Sequence, residues 1–223
     1  MALNAMQSTT AQDSADPVDF DQFEMDLADF FVAILGPEYD GFRTDIHDLD
    51  EAEAILMDVA SDLAKSQECR DFIGKHTVFW SCVARLRNIS SPSLQRLLLK
   101  VIRNACIHCP ESQQSALSSL RADQLTLNLG SSAFASTPRD VALVGLAIEA
   151  ATNLTSGSST TPSSPKFGDS IDPADLAKWT LNMLLAHPTK ALRLVMVWLA
   201  NGILPMYPST RQAWTAISRR TRA

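Results

Sequence analysis

The sequence predicts an all-α fold of stacked helices, and three observations carry that prediction. Apolar residues recur at helical spacing through most of the chain. Sustained apolar/polar alternation, the mark of a half-buried strand, is nearly absent. One helical pattern closed by an asparagine returns three times along the chain.

The first residues, 1–16, are small, polar and aperiodic, and are expected to be disordered. The repeat domain is expected over 17–220. Its first helix begins at Pro17-Val18-Asp19-Phe20, with Asp16 as cap and Pro17 in the first turn. Phe20, Phe23, Leu27, Phe30, Phe31 and Ile34 make its apolar stripe, and Gly36-Pro37 ends it. A loop over 37–48 follows. Asp48 or Asp50 then opens a helix to about Lys65, with Ala52, Ile55, Leu56, Val59 and Leu63 inward. Residues 68–90 read as one short and one longer helix, with Phe72, Ile73, Val78, Phe79, Cys82, Val83 and Leu86 as core.

From there the chain repeats itself. Asn104, Asn153 and Asn201 stand 49 and 48 residues apart. Ten residues before them lie Leu94, Leu143 and Ala191. Seven before lie Leu97, Leu146 and Leu194, and six before lie Leu98, Ala147 and Val195. Three before lie Val101, Ala150 and Trp198, and two before lie Ile102, Ala151 and Leu199. All are apolar, and these offsets trace one side of a helix. Breaks follow at Pro110, Gly157 and Pro205. One or two further helices fit between copies. The period is close to the ~40–47 residues of HEAT and armadillo repeats, so the expected architecture is an armadillo/HEAT-like α-solenoid. Residues 155–170, rich in Ser, Thr, Pro and Gly, read as a flexible loop that buries no apolar surface; Thr161-Pro162 and Ser164-Pro165 are candidate phosphoacceptors.

Composition narrows the function classes. The 223 residues are 46% hydrophobic, enough for one core or a short repeat array. A net charge of −6 and a pI of about 5.1 argue against nucleic acid or an anionic membrane as the main partner. The basic residues Arg211, Arg219 and Arg220 read as a solvated terminus. The N-terminus carries no basic n-region or apolar h-region, and no run of ~18 apolar residues is present. The expectation is a cytoplasmic protein with its four cysteines reduced.

Chemistry is hard to find. Cys106-Ile-His-Cys109 resembles a metal or redox motif, but Cys69 and Cys82 form no second close pair. The motif sits at a helix C-terminus, where the dipole favours thiol over thiolate. Glu51 and Glu53 read as an exposed acidic first turn, and no nucleophile–base arrangement or phosphate loop appears. No catalytic residue, metal or cofactor is expected. Candidate partner-binding residues are Arg96, Lys100 and Arg103, on a basic helix face suited to an acidic peptide, and the recurring Asn104, Asn153 and Asn201. Those asparagines could hydrogen-bond a ligand backbone. The Trp that accompanies such ladders four residues earlier is replaced by Lys100, Glu149 and Val197, so the favoured reading is that they satisfy their own helix-end carbonyls or the adjacent loop.

A family resemblance joins this reading. The stretch LKVIRNACIHCPESQQ at 99–114 resembles the Arg-Asn-Ala-Cys helix end of ataxin-10 proteins, with its polar start of the next helix. VGLAIEAATNLT at 144–155 is similar to that family's next long helix, and LNMLLAHPTK at 181–190 to its Asn-His-Pro-like corner. The matches cover about residues 85 to 205. The resemblance implies an armadillo-like solenoid without catalysis: a cytoplasmic protein-binding adaptor linked to cytokinesis, cilia and neurite outgrowth. Family members are longer, so this chain would correspond to an N-terminal portion or a truncated relative, and its Ser/Thr/Pro loop departs from the pattern. The alternative is a structural subunit whose C-terminal helical face, with the tail Tyr207 to Trp214, docks on a partner.

Overall fold

The computed structural model describes residues 18–37, 46–156, 166–169, 171–201 and 203. Ten α-helices, and no strands, occur among them. The disordered-terminus reading of 1–16, both phosphoacceptor pairs and the tail Tyr207 to Trp214 lie outside the described residues.

Helix α1 (Phe20–Leu35) starts at Asp19, whose carboxylate accepts from Asp21 N and Gln22 N. The expected cap, Asp16, is displaced because Asp19 lies within reach of the free amides of the first turn. Gly36, at φ 84°, ends the helix with its N–H on Val32 O at 2.7 Å. Helix α2 (Leu49–Lys65) is capped by Asp48, which accepts from Glu51 N at 3.0 Å. Helices α3 (Gln67–Lys75) and α4 (Thr77–Leu86) follow. The first copy of the repeated pattern lies on α5 (Pro92–Ala105), followed by α6 (Pro110–Ser115), a π-turn over 116–120, and α7 (Ala122–Ala135). Helix α8 (Val141–Thr155) precedes the Ser/Thr/Pro segment, and α9 (Pro173–Ala186) and α10 (Pro188–Ala200) meet at a His187-Pro188 corner.

The three repeated helices are α5, α8 and α10. They lie in one row, joined by α2: α2 packs on α5, α5 on α8, and α8 on α10. The row is parallel. The C-terminal ends meet through the asparagines, while His187 Nε2 at the start of α10 lies 2.9 Å from Val141 O at the start of α8. A second set of helices backs the row, with α1 against α2, α7 against α8 and α9 against α10. The core lies between them.

Thirteen of the fifteen positions in the repeat register are buried. The exceptions are Leu146, half-buried, and Leu199, exposed. Each sealed Leu, Ile, Val or Phe contributes roughly 1.5–3 kcal/mol. Aromatic clusters anchor both ends of the row: Phe79 sits edge-on to Trp80, with Phe30 beside it, and Trp198 stacks on Trp179 at 5.9 Å. Phe167 packs on Trp198 at 5.2 Å and is buried. The expectation that 155–170 buries no apolar surface therefore fails at Phe167, an aromatic residue that a polar composition hides.

Helix α3 lies so close to α6 that a Cβ on Gly74 would stand 3.0 Å from Ser112 N and 2.9 Å from Glu111 Cβ. Three hydrogen bonds sew that contact: Cys109 Sγ and Ser112 Oγ donate to Arg70 O, and Ser115 Oγ to Gly74 O.

Candidate functional site

The geometry separates the six candidate residues into two groups. The asparagines point along the row, toward the helix before. Asn104 Nδ2 donates to Ala60 O of α2 at 2.6 Å, Asn153 Nδ2 to Arg103 O of α5 at 2.7 Å, and Asn201 Nδ2 to Thr155 O of α8 at 2.7 Å. Each thus bonds a carbonyl of its neighbour rather than its own helix end; Arg103 O and Thr155 O are last-turn carbonyls without an intrahelical donor, while Ala60 O lies one turn further into α2. The spacing of about one repeat has a physical cause: each unit needs one amide to tie its helix end to the previous one. Gln113 reinforces the seam, donating to Cys106 O and Asn153 O, both at 2.9 Å. Nothing in the sequence marks Gln113 or the buried Arg70, whose guanidinium donates to Leu63 O at 2.6 Å.

The second group, Arg96, Lys100 and Arg103, lies eight, four and one residues before Asn104, on the outward face of α5. Arg96 pairs with Asp140, the N-cap of α8. Arg103 Nη1 pairs with Glu149 Oε2 at 3.0 Å, and Lys190 Nζ reaches Glu149 Oε1 at 2.7 Å. One carboxylate thus links α5, α8 and α10. Burial alone would raise the Glu149 carboxyl, but the hydrogen bonds and charges of Lys190 and Arg103 hold it below its ordinary range. Asp140 is also held low, first by the Leu143 backbone N–H it accepts as N-cap, then by Arg96. Lys100 has no ion-pair partner among the described residues.

Lys100 stands at the rim of a groove of about 520 Å³ between α2 and α5. Asp50 and Glu53 line its α2 side, Arg96 and Lys100 its α5 side, and Met57 and Leu97 lie between. The groove is acidic on one wall and basic on the other, with an apolar strip in the middle. The acidic first turn therefore forms part of the site, a role its solvated appearance in sequence conceals. Met57, exposed and off the inward stripe of α2, is the signal that could have pointed here. A second groove, about 650 Å³, opens between α7 and α9 on the other layer, lined by polar residues including Asn128, Asp172, Asp175 and Lys178. None of the six candidates lines it.

The Cys106–Cys109 stretch is structural in its contacts. Cys106 caps α5 and is buried, its thiol pushed well up by burial. Cys109 turns to Arg70 O, and His108, at φ 50°, faces solvent. Among the described residues no three His, Cys, Asp or Glu side chains converge as a metal site would require, and no described helix is long and apolar enough to cross a membrane.

Compared with family models, with curated proteins and with solved structures, the chain matches none.

Proposed function

We propose that the chain is a non-enzymatic adaptor with an armadillo-like α-solenoid architecture, related to ataxin-10 proteins and acting in the cytoplasm. Its partner is a protein, in keeping with the net charge of −6, and cytokinesis or cytoskeletal and ciliary regulation is the setting that the resemblance suggests. The observation that carries this reading is the outward groove on a row of parallel helices, where Lys100 stands uncommitted beside an apolar strip. An extended segment with an acidic residue for Lys100 and an apolar one for Met57 and Leu97 fits that chemistry. Arg96, already paired with Asp140, lines the groove and takes no direct part, and Arg103, paired with Glu149, lies outside its lining. The alternative, a subunit that docks through its C-terminal helical face, draws on exposed leucines of α9 and α10.

Panning a random peptide library against the intact chain tests this. Peptides with an acidic–apolar signature are expected, and Lys100→Glu should weaken them by about tenfold, or ~1.4 kcal/mol, without shifting Tm. Peptides that bind Lys100→Glu equally well would place the binding surface elsewhere.

A further inference from the structure

Carboxamides that the row does not use lie on the backing layer. In α7, Gln124, Asn128 and Ser131 follow one another at helical spacing, a polar stripe turned away from the buried Thr126, Leu129, Gly130 and Ala133. A groove flanks this stripe on each side. One, of about 280 Å³, lies between the end of α4 and the start of α7 and is lined by Arg87, Asn88 and Arg121. The other, of about 650 Å³, lies between α7 and α9 and is lined by Asp172, Asp175, Lys178 and Asn182. Gln124 and Asn128 line both. Successive elements of the layer thus each present a carboxamide: Asn88, then Gln124 and Asn128, then Asn182. These four side chains have no hydrogen-bond partner among the described residues. Arg87, Arg121 and Asp175 have no ion-pair partner there either. Asn104, Asn153 and Asn201, by contrast, are each committed to a neighbouring helix.

We propose that this face of the backing layer binds an extended peptide laid across α7, with an acidic end over Arg87 and Arg121 and a basic end over Asp172 and Asp175. A carboxamide offers donors and an acceptor together, which matches the N–H and C=O of a peptide unit. Being uncharged, the carboxamides hold the backbone, and the charged groups at either side set its direction. Two helix spacings of ~8–10 Å separate those charges, about five or six residues of extended chain at ~3.3 Å each. Other ligand chemistries fit less well. Asp172 and Asp175 oppose a phosphate-bearing ligand. A sugar needs an open ring face, but Trp179 is 2% exposed and Arg139 already lies over the Phe134 ring at 4.0 Å. This surface is separate from the Lys100 groove, whose walls are α2 and α5.

The probe is a library of short peptides with glutamate at one end, lysine at the other, in both orders, and randomised positions between. It is panned against the full chain carrying Lys100→Glu, so that the α2–α5 groove does not select. Binders are expected, and the tightest should weaken about tenfold when N-methylated at one or more central amides, which removes backbone donors. Asn128→Ala and Arg87→Glu should each weaken it about fivefold, with Tm unchanged. A library that yields no binder would overturn the proposal and leave the carboxamides as solvated side chains. Binding that survives N-methylation at every central amide would overturn backbone recognition. Binding indifferent to both Asn128→Ala and Arg87→Glu would place the peptide elsewhere on the molecule. Equal binding of the same peptide with both end residues replaced by alanine would overturn the assigned direction.

Discussion

Helices α5 and α10 hold equivalent places in the row and meet different surroundings. Both present an Asn to the helix before and an apolar core side to the backing layer. On α5 the side turned to the next helix is closed by α8, and its Asn104 is itself buried. On α10 that side is open among the described residues, and Asn201 is exposed. The same sequence register therefore yields a sealed joint in one place and, among the described residues, an open one in the other. What differs is the neighbour, which no local pattern encodes. In a stack, the worth of a residue depends on how many units lean on it.

That difference can be broken first at the aromatic anchor. Trp198→Ala should cost about 3–5 kcal/mol, because it removes a fully buried ring that Trp179 and Phe167 pack against. A loss below about 1 kcal/mol in urea unfolding would mean that the register misplaces α10. Gly74→Ala tests the tighter end. The added Cβ meets backbone of α6, so a loss of about 1–3 kcal/mol is expected despite the better helix propensity of Ala. A gain in Tm would show that α3 and α6 sit further apart.

The charge link across α5, α8 and α10 is worth less. Glu149 is about a third exposed, so Glu149→Gln should cost no more than about 1 kcal/mol at neutral pH. Its sign with pH is fixed. The folded carboxyl lies below its ordinary value of 4.5, so its contribution is present above that pH and is lost as pH falls through the folded value. Glu149→Gln should therefore flatten part of the acid limb of stability, and an unchanged limb would remove the link. The smallest expected signal is chemical. None of the four thiols should react with Ellman's reagent until the chain unfolds, with burial holding Cys82 at about 11 and Cys106 well up. Fast native labelling at Cys106 or Cys109 would reopen that stretch as a reactive site.

What could be read from sequence is what short-range physics writes there. The α2 boundaries follow from Asp48 and the apolar period, and the thirteen buried register positions follow from a repeat that any helix row needs. What stayed hidden depends on distant partners. Arg70 meets Cys109 and Ser112 some forty residues away, and Gln113 reaches Asn153 across a similar gap. The asparagines were visible as a pattern but not as ties, since their acceptors lie 44 to 50 residues back. The groove was half visible: its basic wall stood out on α5, while its acidic wall passed for ordinary helix-start chemistry on α2.

Those asparagines tie successive helices together, and one series of urea-unfolding measurements addresses that role most directly. Asn104→Ala removes a buried amide that bonds Ala60 O and accepts from Arg103 Nε, and should cost about 1–3 kcal/mol. Asn153→Ala should cost less, and Asn201→Ala, at the exposed end, least. A graded loss in that order is the predicted result. Three substitutions that leave stability unchanged would contradict these ties and return the asparagines to the open face as ligand-binding groups.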